Sequence, residues 1–114
     1  MKDAESYIII EGNYAYLACG SQGIRIIDVS DPFNPNLEFG YITSDDARGI
    51  TVSENHAFVA VDNVGVQVFD ISDPTSPVII ETYSGVGVAQ CIFYNEGYIY
   101  LITGSLLSIL QYVP

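Results

Sequence analysis

The segment GIRIIDVSDPFNP, Gly23 to Pro35, returns as GVQVFDISDPTSP, Gly65 to Pro77, an offset of 42 residues between the two glycines. The register holds without a gap on either side of it. Asn13 matches Asn55, Ala15 matches Ala57, Ala18 matches Ala60, Tyr41 matches Tyr83 and Ala47 matches Ala89. A third copy starts on the same period, with Glu96 under Glu54 and Tyr98 under His56. It then drops one residue, runs as LSILQ, Leu107 to Gln111, under VQVFD, and stops before any SDP turn. Self-similarity of this length marks an array of stacked supersecondary units, so it governs every other reading of the chain.

Within each copy the runs are short, β-branched and aromatic, with no helical period. The first copy predicts strands at Tyr7 to Ile10, Tyr14 to Cys19, Ile24 to Val29 and Leu37 to Thr43. The second predicts them at Ile50 to Val52, His56 to Val61, Val66 to Ile71 and Val78 to Tyr83. The third offers Cys91 to Tyr94, Tyr98 to Thr103 and Leu107 to Tyr112, so eleven strands are present and a twelfth is missing. Four antiparallel strands in about 42 residues is the pattern of a propeller blade. A β-sandwich does not call for such a repeat, and a parallel β-helix uses shorter coils. The expected fold class is therefore all-β: residues 1–114 form a single partial β-propeller domain, with blades at 7–47, 48–89 and 90–112.

The fragments RIIDVSDPFNP and QVFDISDPTSP, each following a YAYLA-like strand (Tyr14 to Ala18, His56 to Ala60), resemble the LVIVD repeat of bacteria and archaea. That resemblance implies tandem repeats building a β-propeller, often in a surface or exported protein, and it brings no catalytic residues with it. The third copy departs from the pattern in lacking the SDP turn and the outer strand.

Composition narrows the function. Fourteen acidic residues against three basic ones, Lys2, Arg25 and Arg48, give a net charge of −11, which repels phosphate backbones and anionic lipid. This argues against nucleic acid and against a membrane surface. No apolar run approaches the roughly 20 residues of a membrane span, and Met1 to Ser6 has neither the basic start nor the apolar stretch of a signal peptide. Cys19 and Cys91 are too few for a disulfide framework and show no CxxC zinc spacing, so both read as small buried side chains.

The repeated polar residues read first as turn chemistry. Asp28, Asp31 and Pro32, and their counterparts Asp70, Asp73 and Pro74, stand where a third strand leaves for a fourth. There the Asp side chains bond nearby N–H groups and Pro removes a ladder donor. Calcium is the functional rival, but the EF-hand glycine and distal Glu are absent. Gly23 and Gly65 open third strands where a positive φ or a tight approach is expected. His56 stands in the slot of Tyr14 and Tyr98, so it reads as an aromatic filler. The pairs Tyr14/Tyr16 and Tyr98/Tyr100 each point to one face of a strand, which suits packing between blades better than carbohydrate stacking.

Blade topology sorts the loops onto two rims. The SDP turns and the Glu-bearing turns at Glu11, Glu54 and Glu96 share one. On the other, here called the upper, the copies differ: Thr43 to Arg48 against Gly85 to Gln90, and Gly20 to Gln22 against Asp62 to Val64. Binding concentrates in loops on rigid scaffolds, so a ligand-binding site is placed at Asp45, Asp46, Arg48, Asp62, Asn63 and Gln90. Catalysis has no support, since no GxSxG, HExxH, Walker or GxGxxG motif is present. No cofactor or metal is expected.

The expected function is a non-catalytic structural or recognition scaffold for protein or glycan. The alternative is a ligand- or calcium-binding part of an exported enzyme whose catalytic residues lie elsewhere. Fewer than three full blades cannot close a ring. The expected partner is a second copy completing a roughly six-bladed ring, or adjacent repeats of a longer chain. The short tail Lys2 to Ser6 is a candidate to fill the missing strand.

Overall fold

The computed structural model describes residues 6–103 and 106–112, with the backbone alone for Ser6 and Tyr7. Alternating apolar residues separated by glycine and Asx turns produce three antiparallel sheets. The first holds β1 (Ser6–Glu11), β2 (Tyr14–Cys19), β3 (Ile24–Asp28) and β4 (Asn36–Tyr41). The second holds β5 (Ala47–Ser53), β6 (His56–Val61), β7 (Gly65–Asp70) and β8 (Val78–Tyr83). The third holds β9 (Ala89–Asn95), β10 (Tyr98–Thr103) and β11 (Leu106–Gln111). Strands lie in chain order within every sheet, so each sheet is a meander and all eleven anticipated strands are formed. Across sheets the inner strands meet: β5 packs on β1 and β2, and β9 packs on β5 and β6. The shortest dimension is 21 Å, about one strand of six residues. Among the described residues no helix is long and apolar enough to cross a membrane.

Alternation gives each sheet a front face and a back face. The front of the first sheet (Tyr16, Ala18, Ile24, Ile26) packs on the back of the second (Ile50, Ala57, Val59, Val61, Phe69). The front of the second (Phe58, Val66, Val68) packs on the back of the third (Ile99, Leu101, Tyr112). Aromatic contacts lock both junctions. Tyr41 meets Phe69 edge-on at 5.8 Å across the first, while Phe58 stacks on Tyr94 at 4.5 Å and meets Tyr112 at 5.2 Å across the second. Burying Phe58 contributes about 2–3 kcal/mol, and each such ring pair about 1 kcal/mol more. His56 fills its aromatic slot as the alternation requires, edge-on to Tyr112 at 5.6 Å.

Several boundaries move from the expected positions, each for a local reason. Val29, Ile71 and Tyr112 lie just outside their strands, donating N–H to the carbonyls of Asn13, Asn55 and Gly97 at 2.8 Å. β5 and β9 begin earlier than expected because Ala47 pairs with Val61 and Ala89 with Thr103 across a β-bulge. The blade limits therefore shift by one residue, since Ala47 and Ala89 open the second and third sheets. Glu11 closes β1, and it is Gly12 that takes the turn position of Glu54 and Glu96. Ser6 pairs with Cys19 at the start of β1, so it is already used in the first sheet. Residues 2–5 of the anticipated filling tail lie outside the described residues. Both cysteines are free, but they depart from the expected burial: Cys19 is half-buried and Cys91 is exposed, because β9 presents Cys91 on the uncovered front of the third sheet.

Two glycines are dictated by geometry. Gly23 has φ 78° and a Cβ on it would stand 2.0 Å from the Tyr41 carbonyl oxygen; Gly65 has φ 115° and the same 2.0 Å approach to the Tyr83 oxygen. Positive φ and backbone contact coincide at equivalent positions. The third sheet carries Leu106 there, because its β10–β11 hairpin has two connecting residues, with Thr103 opposite Leu106, where Val61 and Gly65 enclose three.

Gly65→Ala is expected to cost about 3 kcal/mol. Gly40→Ala, in a strand with open space around it, is expected to be neutral or stabilising by about 0.5 kcal/mol. Urea unfolding of both variants checks the contrast. Glu54 holds φ 53° at a position that Gly12 fills in the first repeat. Glu54→Gly should therefore stabilise by about 0.5–1 kcal/mol in the same assay.

Candidate functional site

The lower rim carries the repeated aspartates. Asp28 accepts the Ser30 N–H at 2.9 Å, and Asp70 accepts the Ser72 N–H at 2.9 Å and its hydroxyl at 2.7 Å. Asp31 accepts the Phe33 N–H and the Asn34 amide at 3.0 Å, while Asp73 accepts the Thr75 N–H at 3.1 Å and its hydroxyl at 2.7 Å. Pro32 and Pro74 follow directly and donate nothing. These are two successive Asx turns per repeat, in which each carboxylate commits at least one oxygen to the chain's own donors. Donation from the Ser30 and Ser72 N–H groups holds the Asp28 and Asp70 carboxyls below the usual range, and the Asn34 amide does the same for Asp31.

On the upper rim the six candidate residues come from two connections and two bulges. Asp45 and Asp46 lie between β4 and β5, and Asp62 and Asn63 lie between β6 and β7. The Asp45 carboxylate joins the two connections: one oxygen accepts the Asp46 N–H at 2.8 Å, the other accepts the Asn63 N–H at 3.3 Å and its amide at 3.1 Å. Thr43, buried, donates its hydroxyl to the Asp45 carbonyl at 2.5 Å. The backbone repeats the join, with the Asp62 N–H donating to the Asp46 carbonyl at 3.0 Å.

Arg48 and Gln90 are the residues left unopposed by the bulges at the starts of β5 and β9. A bulge re-aims its side chain, and Arg48 accordingly reaches Asp62, Nη2 to Oδ2 at 3.2 Å, with Asp46 at 4.0 Å. Gln90 adjoins the cluster through the backbone: Ala89 donates to the Asp62 carbonyl at 3.1 Å. Its side chain is exposed at the edge of the cluster. The structure thus gathers Asp45, Asp46, Arg48, Asp62 and Asn63 into one bonded group and leaves Gln90 at its edge. Sequence variation between copies pointed to these residues, but nothing in the sequence announced the bulges.

Donation from the Asp46 N–H, then from the Asn63 side chain and backbone, holds the Asp45 carboxyl below its usual range. The group sets three carboxylates, Asp45, Asp46 and Asp62, against one guanidinium, Arg48, so it keeps a net negative charge. Among the described residues no three His, Cys, Asp or Glu side chains gather as a cation's ligand set.

The LVIVD repeat model matches residues 3–43 and 44–85. The chain belongs to the LVIVD repeat family. Both matched copies coincide with the four-stranded sheets, and the third sheet continues the array beyond them. No curated protein matches the LVIVD chain. Among solved structures, the crystal structure of the computationally designed Ika4 protein superposes with a TM-score of 0.74 at 6% identity, over 93% of this chain. The LVIVD chain spans 64% of the length of that protein, and at such identity the likeness shows the fold alone.

Asp45→Ala should lower the melting temperature at pH 7 by a few degrees, by releasing three donors. A depressed carboxyl binds its proton less readily folded than unfolded, so its contribution is complete above about pH 4 and is lost as pH falls through the folded value. The gap between wild type and Asp45→Ala should therefore hold constant down to about pH 4 and narrow as the pH falls further, as calorimetry at stepped pH would show.

Proposed function

We propose that this LVIVD chain is a non-catalytic propeller segment that acts as a structural or recognition scaffold for protein or glycan, in a surface or exported protein. The observation that carries the reading is the division of labour between the rims. The lower rim repeats the same Asx turns in both complete repeats, whereas the upper rim holds residues that differ from copy to copy on bulged strand starts. A rigid frame with one variable rim suits recognition. Within it, the bonded pair Arg48–Asp62 and the exposed Gln90 offer a guanidinium, carboxylates and an amide to hydroxyl-rich or peptide ligands.

Surface plasmon resonance against a panel of immobilised oligosaccharides and short peptides tests this, comparing wild type with the Asp62→Ala/Gln90→Ala variant. Saturable binding by wild type to one class, weakened at least tenfold in a variant that still melts cooperatively, is the expected result. Binding unaffected by the rim change refutes the site. Turnover of a chromogenic hydrolase substrate by the purified chain refutes the non-catalytic reading.

A further inference from the structure

The two outermost sheet faces have no cover among the described residues, and they are not alike. On the back of the first sheet Ile8, Ile10 and Leu37 are exposed by 57%, 58% and 52%, beside Leu17 and Ile27. On the front of the third, Phe93, Leu107 and Ile109 are exposed by 60%, 61% and 54%, beside Tyr98, Tyr100 and Ile102. Patches of this kind on a chain of net charge −11 mark an interaction surface.

The repeat itself says what such faces fit. Ile8, Ile10, Leu17, Ile27 and Leu37 occupy the positions of Ile50, Val52, Val59, Phe69 and Ile79, which in the second sheet pack on the front of the first. Phe93, Tyr98, Tyr100, Ile102, Leu107 and Ile109 occupy the positions of Ile9, Tyr14, Tyr16, Ala18, Ile24 and Ile26, which receive that packing. One end of the chain therefore presents the donor half of a junction already made twice within it, and the other end presents the acceptor half.

We propose that the front of the third sheet binds the back of the first sheet of a second copy of this chain, head to tail, and that two copies close a ring of six sheets. The number follows from closure. Propellers hold four to eight blades, and multiples of three sheets enter that range only at two copies. Any other head-to-tail count leaves an open array or an oversized ring.

A cavity of about 360 Å³ on the acceptor face marks where the contact centres; Cys91, Phe93, Tyr100, Ile102 and Leu107 are among its lining residues. At the internal junction between the second and third sheets, a Cβ on Gly49 would lie 3.4 Å from the Ile92 side chain. Cys91 is the counterpart of Gly49 and Ile8 is the counterpart of Ile92. In the pair of chains Ile8 of the second copy thus lies against Cys91, filling the cavity.

The test joins those two positions. An Ile8→Cys/Cys19→Ser variant of the 114-residue chain, kept with its native Cys91, is treated with oxidised glutathione, which takes up the two electrons and two protons released as each disulfide forms. The expected product on a non-reducing gel is a covalent dimer with no higher ladder, since both junctions close within one pair; it disappears when Cys91→Ser is added. Sedimentation velocity of the wild type should give twice 12.4 kDa, and Phe93→Glu should give a monomer whose far-ultraviolet circular dichroism remains that of a β protein. A wild type that is monomeric from 1 to 100 μM, a ladder of higher species, or a dimer that does not cross-link through Cys91 each overturns the proposal.

Discussion

Every element of this chain depends on one contact: the front face of one sheet against the back face of the next. No single meander of four short strands buries enough apolar surface to persist alone, because half of its side chains would remain in water. The junctions supply what the sheet lacks. Tyr16, Ile24 and Ile26 are buried because Val59 and Phe69 cover them, and Phe58 is buried because Tyr94 and Tyr112 do. The consequence is directional. A face shaped to receive a neighbour is different from a face shaped to be received, so an array of such sheets has two unlike ends.

That contact also explains which residues vary. At the lower rim the β-turns, the Asx bonds and the N–H of Val29, Ile71 and Tyr112 fix how the third strand leaves the sheet. A change there would tilt the following strand and spoil the face it contributes. At the upper rim the chain passes from one sheet to the next, and the requirement on the backbone is brief. The Ala47 N–H meets the Gly20 carbonyl at 3.0 Å, and the Ala89 N–H meets the Asp62 carbonyl at 3.1 Å. Those bonds need only main-chain atoms and small alanines, so the flanking side chains are free to differ. Asp45 and its two donors on Asn63 are one solution to that passage; Gly87, with φ 93°, belongs to another.

Much of this was legible in the sequence because a repeat converts local pattern into global placement. The 42-residue period identified the unit, alternation identified the strands, and the positions of Tyr14, His56 and Tyr98 identified an aromatic slot before any contact was known. What could not be read were features that period and alternation do not encode. The bulges at Arg48 and Gln90 leave the apolar pattern of Ile50 and Ile92 unchanged, since the extra residue lies at the strand's first turn into the sheet. The exposure of Cys91 was hidden for the opposite reason: its neighbours Ile92 and Tyr94 are apolar, so the strand looks buried, yet only their face of it meets the second sheet. The turn role of Gly12 was obscured by Glu11 beside it, although the register with Glu54 and Glu96 already contained the answer.

The one-residue shortening in the third repeat shows which of these constraints is the stricter. Removing a residue from a β-hairpin normally inverts every following side chain. Here the loss falls between β10 and β11, and a two-residue connection replaces the three-residue one, so Leu107 and Ile109 still share a face with Tyr100 and Ile102. The glycine demanded at positions 23 and 65 disappears with the longer turn, and Leu106 takes its place opposite Thr103. The lower rim is untouched, for Tyr112 still donates to Gly97 as Ile71 does to Asn55. A deletion absorbed at the upper rim and invisible at the lower one means that the face, and the neighbour it must meet, sets the register, while the upper connections adapt to it.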